Sequence, residues 1–168
     1  MGGMSAAVEE GRLVAALVFM ASVFGLAAAF AGEHVFGLEP CILCRYERAP
    51  YAASAVLAAG AAFLPVANRW RALLMGLGAV VFAIGAALAF YHVGVEEHWW
   101  ASVAACGGEL ATGAEADDLR QLSAVDLKPC DRVDWRLFGL SLAGYNVLVS
   151  VVLAGISIAG VRILSMKA

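Results

Sequence analysis

Charge is scarce in this chain: Asp, Glu, Lys and Arg together make up 15% of 168 residues, where an ordinary soluble domain carries about 25%. That shortage argues against a soluble globular enzyme. Proline is sparse, with four residues, and no polar low-complexity tract occurs, which excludes a disordered or collagen-like chain. A basic excess is also missing. The formal charge is −3, so there is no electrostatic footprint for nucleic acid and none is expected as a partner. What the chain has instead is 62% hydrophobic residues and a mean hydropathy of +0.83, the profile of an integral membrane protein.

A bilayer core of about 30 Å takes roughly 20 apolar residues at 1.5 Å rise each. Four runs of that order contain no Asp, Glu, Lys or Arg: 13–31, 49–67, 72–95 and 137–161. Unpaired backbone groups are too costly in lipid and the runs are too long for barrel strands, so all four are expected to be helices. The fold class is therefore all-α integral membrane, a four-helix transmembrane bundle in a single domain 1–168, with two extracytoplasmic loops at 32–48 and 96–136. Small residues four apart, as at Ser54, Ala58 and Ala62, predict close approach of neighbouring helices.

An even number of spans places both termini on one side. That side carries Arg12, Arg69, Arg71, Arg162 and Lys167 in short flanks, whereas the basic residues of the other side are diluted over long loops rich in acids. By the density of Lys and Arg near the span ends, the termini are cytoplasmic. Ala29-Phe30-Ala31 resembles a signal-peptide cleavage site. The apolar run is longer than a usual signal core and is preceded by Glu9 and Glu10, so the first span is read as retained.

All four cysteines fall in the two outer loops: Cys41 and Cys44 in the short one, Cys106 and Cys130 in the long one. An oxidising compartment permits disulfides there. Cys41-Ile42-Leu43-Cys44 closes a very small ring, poor as a staple but suited to reversible exchange. If the second helix begins near Cys44, its free N–H groups and dipole favour a thiolate at Cys44, with Arg48 one turn further along. Zinc is the competing chemistry, but Cys106 and Cys130 are too far apart for the usual pairing of close-spaced couples, so no metal is expected. Haem would need opposed histidines within the spans, and of the three histidines only His92 approaches one. In the long loop, Thr112 and Glu115 form a possible capping box before an amphipathic segment at 116–125. Trp99, Trp100 and Trp135 read as interfacial anchors.

The run Glu39-Pro40-Cys41-Ile42-Leu43-Cys44-Arg45-Tyr46-Glu47-Arg48 closely resembles the signature of the disulfide-bond formation protein B (DsbB) family. The downstream cysteine pair and Tyr91-His92-Val93-Gly94-Val95-Glu96 at the end of the third span are similar to it as well. The resemblance covers nearly the whole chain. It implies an enzyme, a quinone-dependent protein-dithiol oxidoreductase of the bacterial inner membrane, with periplasmic cysteine loops. Its soluble partner would be a DsbA-like thiol oxidase, and its electron acceptor the membrane quinone pool, ubiquinone or menaquinone. Carried over by residue, Cys106 takes the mixed disulfide with the partner, Cys130 attacks Cys41, and Cys44 emerges as the thiolate facing the quinone. Arg48 would stabilise negative charge on Cys44 or on the reduced ring, with His92 a further neighbour.

The alternative for Arg48 is a snorkelling interfacial arginine, whereas His92, read without the family, is a buried helix-end histidine rather than a redox group. Arg45 and Glu47 are read as structural. The acidic stretch at 109–126 bears on the choice and docking of the partner. A vitamin K epoxide reductase-like protein is also related in chemistry, but there the loop pair precedes the Cys-x-x-Cys, the reverse of the order here. The alternative from another class is a non-enzymatic membrane scaffold with static disulfides.

Overall fold

The computed structural model describes residues 2–100 and 128–166; Cys106, the segment 116–125 and the acidic stretch 109–126 lie outside the described residues. The elements are α1 (Gly2–His34), α2 (Ile42–Tyr46), α3 (Arg48–Phe63), α4 (Asn68–Glu96), a hairpin of β1 (Arg136–Leu137) and β2 (Leu140–Ser141), and α5 (Leu142–Met166). The long helices form a ring: α1 packs on α3, α3 on α4, α4 on α5 and α5 on α1, while α1 and α4 barely meet across it. Arg12 reaches Ala62 at one end of the α1–α3 pair and Glu33 reaches Arg48 at the other, so the two run antiparallel. Gly11 abuts Leu164, which brings the first and last helices together at the end opposite the cysteines.

Helices α1, α4 and α5 are long and apolar enough to cross a membrane. Most of their surface faces outward: Leu13, Leu17, Phe24, Ile84 and Val151 are all exposed. Apolar surface on that scale needs lipid to cover it, and the chain is an integral membrane protein. Helix α3 has 16 residues and is the short member of the ring.

Two boundaries differ from the sequence expectation, each for a local reason. Helix α3 stops at Phe63 rather than 67 because Pro65 forces Leu64 into an extended conformation, ψ 145°. Its last carbonyls are taken by arginines: Arg71 Nε donates to Ala61 O at 2.6 Å and Arg12 Nε to Ala62 O at 3.0 Å. The last helix starts at Leu142, not 137, because Ser141 caps it by accepting the Gly144 N–H at 3.1 Å. The apolar residues before the cap form a hairpin instead. Phe138 and Gly139 turn its corner with φ of 50° and 82°, the two left-handed positions of a two-residue turn.

The core is built by small residues. Ser54, Ala58 and Ala62 are all buried in the ring, as their spacing predicts. A side chain at Gly25 would meet the Tyr51 ring, and one at Gly85 would meet Pro50. Tyr51 in turn packs edge-to-face on Phe82, centroids 5.7 Å apart, the arrangement aromatic quadrupoles favour.

Candidate active site

Helices α2 and α3 are nearly one helix, interrupted at Glu47. Pro50 has no N–H to return to the preceding turn, so the chain breaks there and re-enters as α3. This break aims the Glu47 side chain into the bundle. The cysteine motif sits immediately before it. Cys41 is the N-cap of α2, in extended conformation, and its Sγ accepts the Cys44 N–H at 3.3 Å.

That placement corrects one sequence expectation. The helix begins at Ile42, so the sulfur receiving the helix N–H groups is Cys41, not Cys44. Thiol hydrogen bonds from Cys130 and from Cys44, reinforced by His92 and the Cys44 N–H, hold Cys41 far below the ordinary thiol range against its burial. Cys44 is pushed up instead, by the hydrogen bond it donates to Cys41, by burial, and by negative charge at Cys41 and Glu47. The two sulfurs are 3.2 Å apart. Cys41 is closed off at 3% exposure, while Cys44 remains partly open.

Cys130, buried at 1%, packs from the second loop into the same small cluster as Cys41, Leu43 and Val95. His92 descends from α4 beside it. Its Nε2 lies 3.5 Å from Cys41 Sγ and its Nδ1 lies 2.6 Å from Glu47 Oε1. The Nδ1 proton points to the carboxylate, so Nε2 faces the sulfur, donating to the Cys41 thiolate when it is protonated and offering its lone pair when the ring is neutral. Glu47 Oε2 accepts from Asn146 Nδ2 at 2.6 Å, and Asn146 Oδ1 accepts from Tyr51 at 2.7 Å and Ser150 at 3.2 Å. Glu96 Oε1 adds a second carboxylate 3.8 Å from His92 Nε2. Trp100 shields this side: its indole stacks on Tyr91 with centroids 5.8 Å apart and occupies the space a side chain at Gly94 would need.

The structure thus brings together Cys41, Cys44, Cys130 and His92, four of the six residues singled out from sequence. Arg48 lies to one side, paired with Glu33 at 2.6 Å and stacked over Phe30 at 4.8 Å. Cys106 is outside the described residues. Glu47 and Asn146 are the residues that sequence reasoning missed. Asn146, a lone amide in an apolar span, carried the available signal, because polar groups at membrane depth are expensive unless they have a partner or a task. A separate cavity of about 450 Å³, lined by Val8, Arg12, Ala62 and Phe63 among others, lies at the far end of the α1–α3 pair.

A family model described as Disulfide bond formation protein DsbB matches residues 11–160. The chain belongs to the DsbB family. Curated relatives named Disulfide bond formation protein B support this. The protein of Polaromonas sp. is 32% identical over 152 residues, 85% of this chain and 86% of the relative. Those of Acinetobacter baumannii and Chromohalobacter salexigens are each 33% identical, covering 81% and 88% of this chain and 82% and 86% of their own lengths. No solved structure matches the chain. DsbB membership makes this a disulfide-forming oxidoreductase.

Proposed function

We propose that this DsbB-family protein reoxidises a periplasmic, DsbA-like dithiol protein and passes the electrons to a membrane quinone. The observation that carries this reading is the contact of one sulfur, Cys41, with both Cys44 and Cys130. Disulfide exchange needs a thiolate in line with the sulfur it attacks. In the proposed sequence the partner's dithiol reduces a Cys106–Cys130 disulfide and leaves as a disulfide. Cys130 thiolate then attacks Cys41 of a Cys41–Cys44 disulfide, the Cys130–Cys41 bond forms, and the electron pair leaves on Cys44. Cys106 thiolate resolves that bond, restoring Cys106–Cys130 and leaving Cys41 and Cys44 reduced.

This order explains the acidities. While Cys41 is free it takes the negative charge, and Cys44 stays protonated. Once Cys41 is bonded to Cys130 it can carry no charge, and two of the four causes that raise Cys44, the hydrogen bond to Cys41 and the charge on it, disappear. Cys44 is also the more open of the pair, so an electron acceptor must approach it rather than Cys41. Arg48 supplies a cation beside the Phe30 ring. These residues fit a flat, apolar ring with polar oxygens. A quinone, when bound, supplies acceptance of the two electrons and two protons that the Cys41–Cys44 pair gives up. His92 and Glu47 serve the sulfur side: His92 Nε2 faces Cys41 and Glu47 fixes its tautomer.

The remaining assignments follow the same reading. Helix α3 is proposed as a fourth, short span, with the termini cytoplasmic, the cysteine loops periplasmic and the bacterial inner membrane as the location. Trapping tests the exchange step directly. In a Cys44→Ala/Cys106→Ala protein, mild oxidation is expected to link Cys41 to Cys130, seen by mass spectrometry of the digested protein. Failure of those two sulfurs to join in the folded protein contradicts the proposed order.

A further inference from the structure

Cys41, Cys44 and His92 place one donor atom each within 4.8 Å of one another, and the geometry points to a site for a thiophilic divalent cation, zinc foremost, in the reduced protein only. This goes beyond the oxidase reading, which uses the same sulfurs without a metal. Tetrahedral zinc with bonds of about 2.0–2.3 Å requires its ligand atoms to lie about 3.3–3.8 Å apart. The Cys41–Cys44 and Cys41–His92 separations are 3.2 and 3.5 Å, so closure around an ion takes adjustments of a few tenths of an ångström on these edges.

Three further features are those of a ligand set. The Cys44 N–H donates to Cys41 Sγ, which stabilises a thiolate without competing for the metal. His92 Nδ1 is held by Glu47 at 2.6 Å, leaving Nε2 to coordinate. That is the carboxylate–histidine–metal relay that orients metal-binding histidines. Glu47 is itself fixed by Asn146, so the relay is anchored on α4, α5 and the break between α2 and α3. Cys106–Cys130 spacing argued against zinc in the sequence; the donor set drawn by the fold uses His92 from α4 instead.

Binding is a proton exchange with no redox change. The Cys41–His92 pair gives up the one proton it shares and Cys44 gives up its S–H proton, two metal–sulfur bonds and one metal–nitrogen bond form, and the two protons leave to solvent. Oxidation to the Cys41–Cys44 disulfide removes both thiolates and so releases the ion. A bound cation therefore marks the reduced state and keeps both sulfurs from exchange.

Cobalt(II) reports the site by the thiolate charge-transfer and tetrahedral ligand-field absorption it acquires. Full-length protein in detergent, reduced without oxygen and freed of reductant, is titrated with cobalt(II) and then zinc. The expected result is one cobalt per chain, displaced by zinc, with none bound by the oxidised protein. Glu47→Gln should weaken the site by about 10- to 100-fold, the usual effect of losing a carboxylate behind a ligating histidine. Cys41→Ser and His92→Gln should change the spectrum and weaken binding at least as much, with circular dichroism confirming their helix content. Absence of the thiolate band in reduced wild type overturns the proposal. So does equal binding by oxidised protein, or an unchanged spectrum in folded His92→Gln. The readout needs no turnover, so its failure leaves the oxidase reading standing.

Discussion

Replacing Cys41 by Ala should make Cys44 more acidic, although a neighbouring sulfur that hydrogen-bonds to it has been removed. The reason lies in which sulfur ionises first. Cys41 receives two thiol hydrogen bonds, a backbone N–H and the His92 ring, so the first negative charge of the reduced pair rests there. At 3.2 Å and an effective dielectric of about 20, that charge opposes a second one on Cys44 by about 5 kcal/mol. At about 1.36 kcal/mol per pH unit this corresponds to about 4 units. Cys44 is partly open to solvent, and screening reduces the expected shift to about 1–2 units. Alkylation of fully reduced protein, followed across pH at the Cys44 peptide by mass spectrometry, measures it. In wild type the Cys44 rate should rise only well above the ordinary thiol range, and in Cys41→Ala the midpoint should fall. A Cys44 midpoint that is unchanged or higher in Cys41→Ala refutes the assignment of the first charge to Cys41. In Cys44→Ala, Cys41 should stay ionised as pH falls below the ordinary thiol value, because Cys130 and His92 still hold its thiolate.

The other predictions concern the groups around the sulfurs. Glu47→Gln removes a charge-assisted hydrogen bond worth about 1.5–3 kcal/mol, and oxidation of a dithiol partner should slow by about 10- to 100-fold with helix content intact; an unchanged rate removes Glu47 from the mechanism. Asn146→Ala strips partners from Glu47 and Tyr51 and should cost about 1–3 kcal/mol of stability, read as a lower thermal midpoint in detergent. Gly94→Ala forces the Trp100 indole off its seat and should destabilise by about 1–3 kcal/mol as an overpacking change, with a shift in tryptophan emission. Phe138→Gly relieves a left-handed φ of 50° and should raise stability by about 1 kcal/mol, unless the fully exposed ring is itself held in lipid, which a loss of stability in bilayers but not detergent would show.

The long helices were legible because a membrane span needs little more than length and the absence of charge, and 13–31 and 72–95 lie inside α1 and α4. The ends were less so. Leu137, Phe138 and Leu140 are as apolar as any span, and only the Ser141 cap and the Phe138-Gly139 turn separate them from α5. Cys-x-x-Cys spacing singled out the pair that the fold holds 3.2 Å apart, but the choice between its sulfurs depended on whether the helix starts at Ile42 or near Cys44, a two-residue difference that periodicity cannot resolve. Glu47 stands in the recognisable motif yet was read as structural, since its partners His92 and Asn146 lie 45 and 99 residues away. Contacts of that range arise from helix packing, which no local pattern encodes. The same packing put Cys130 beside Cys41, where sequence offered only two distant loops.

The central claim is that electrons pass from a partner dithiol through these sulfurs and leave by way of Cys44. The most direct measurement is anaerobic oxidation of a reduced DsbA-like protein by the purified, oxidised membrane protein with added ubiquinone or menaquinone, wild type against Cys44→Ser. Multiple turnovers that require both quinone and Cys44 are the expected result. A single stoichiometric oxidation that neither quinone extends, or turnover that persists in Cys44→Ser, would contradict it.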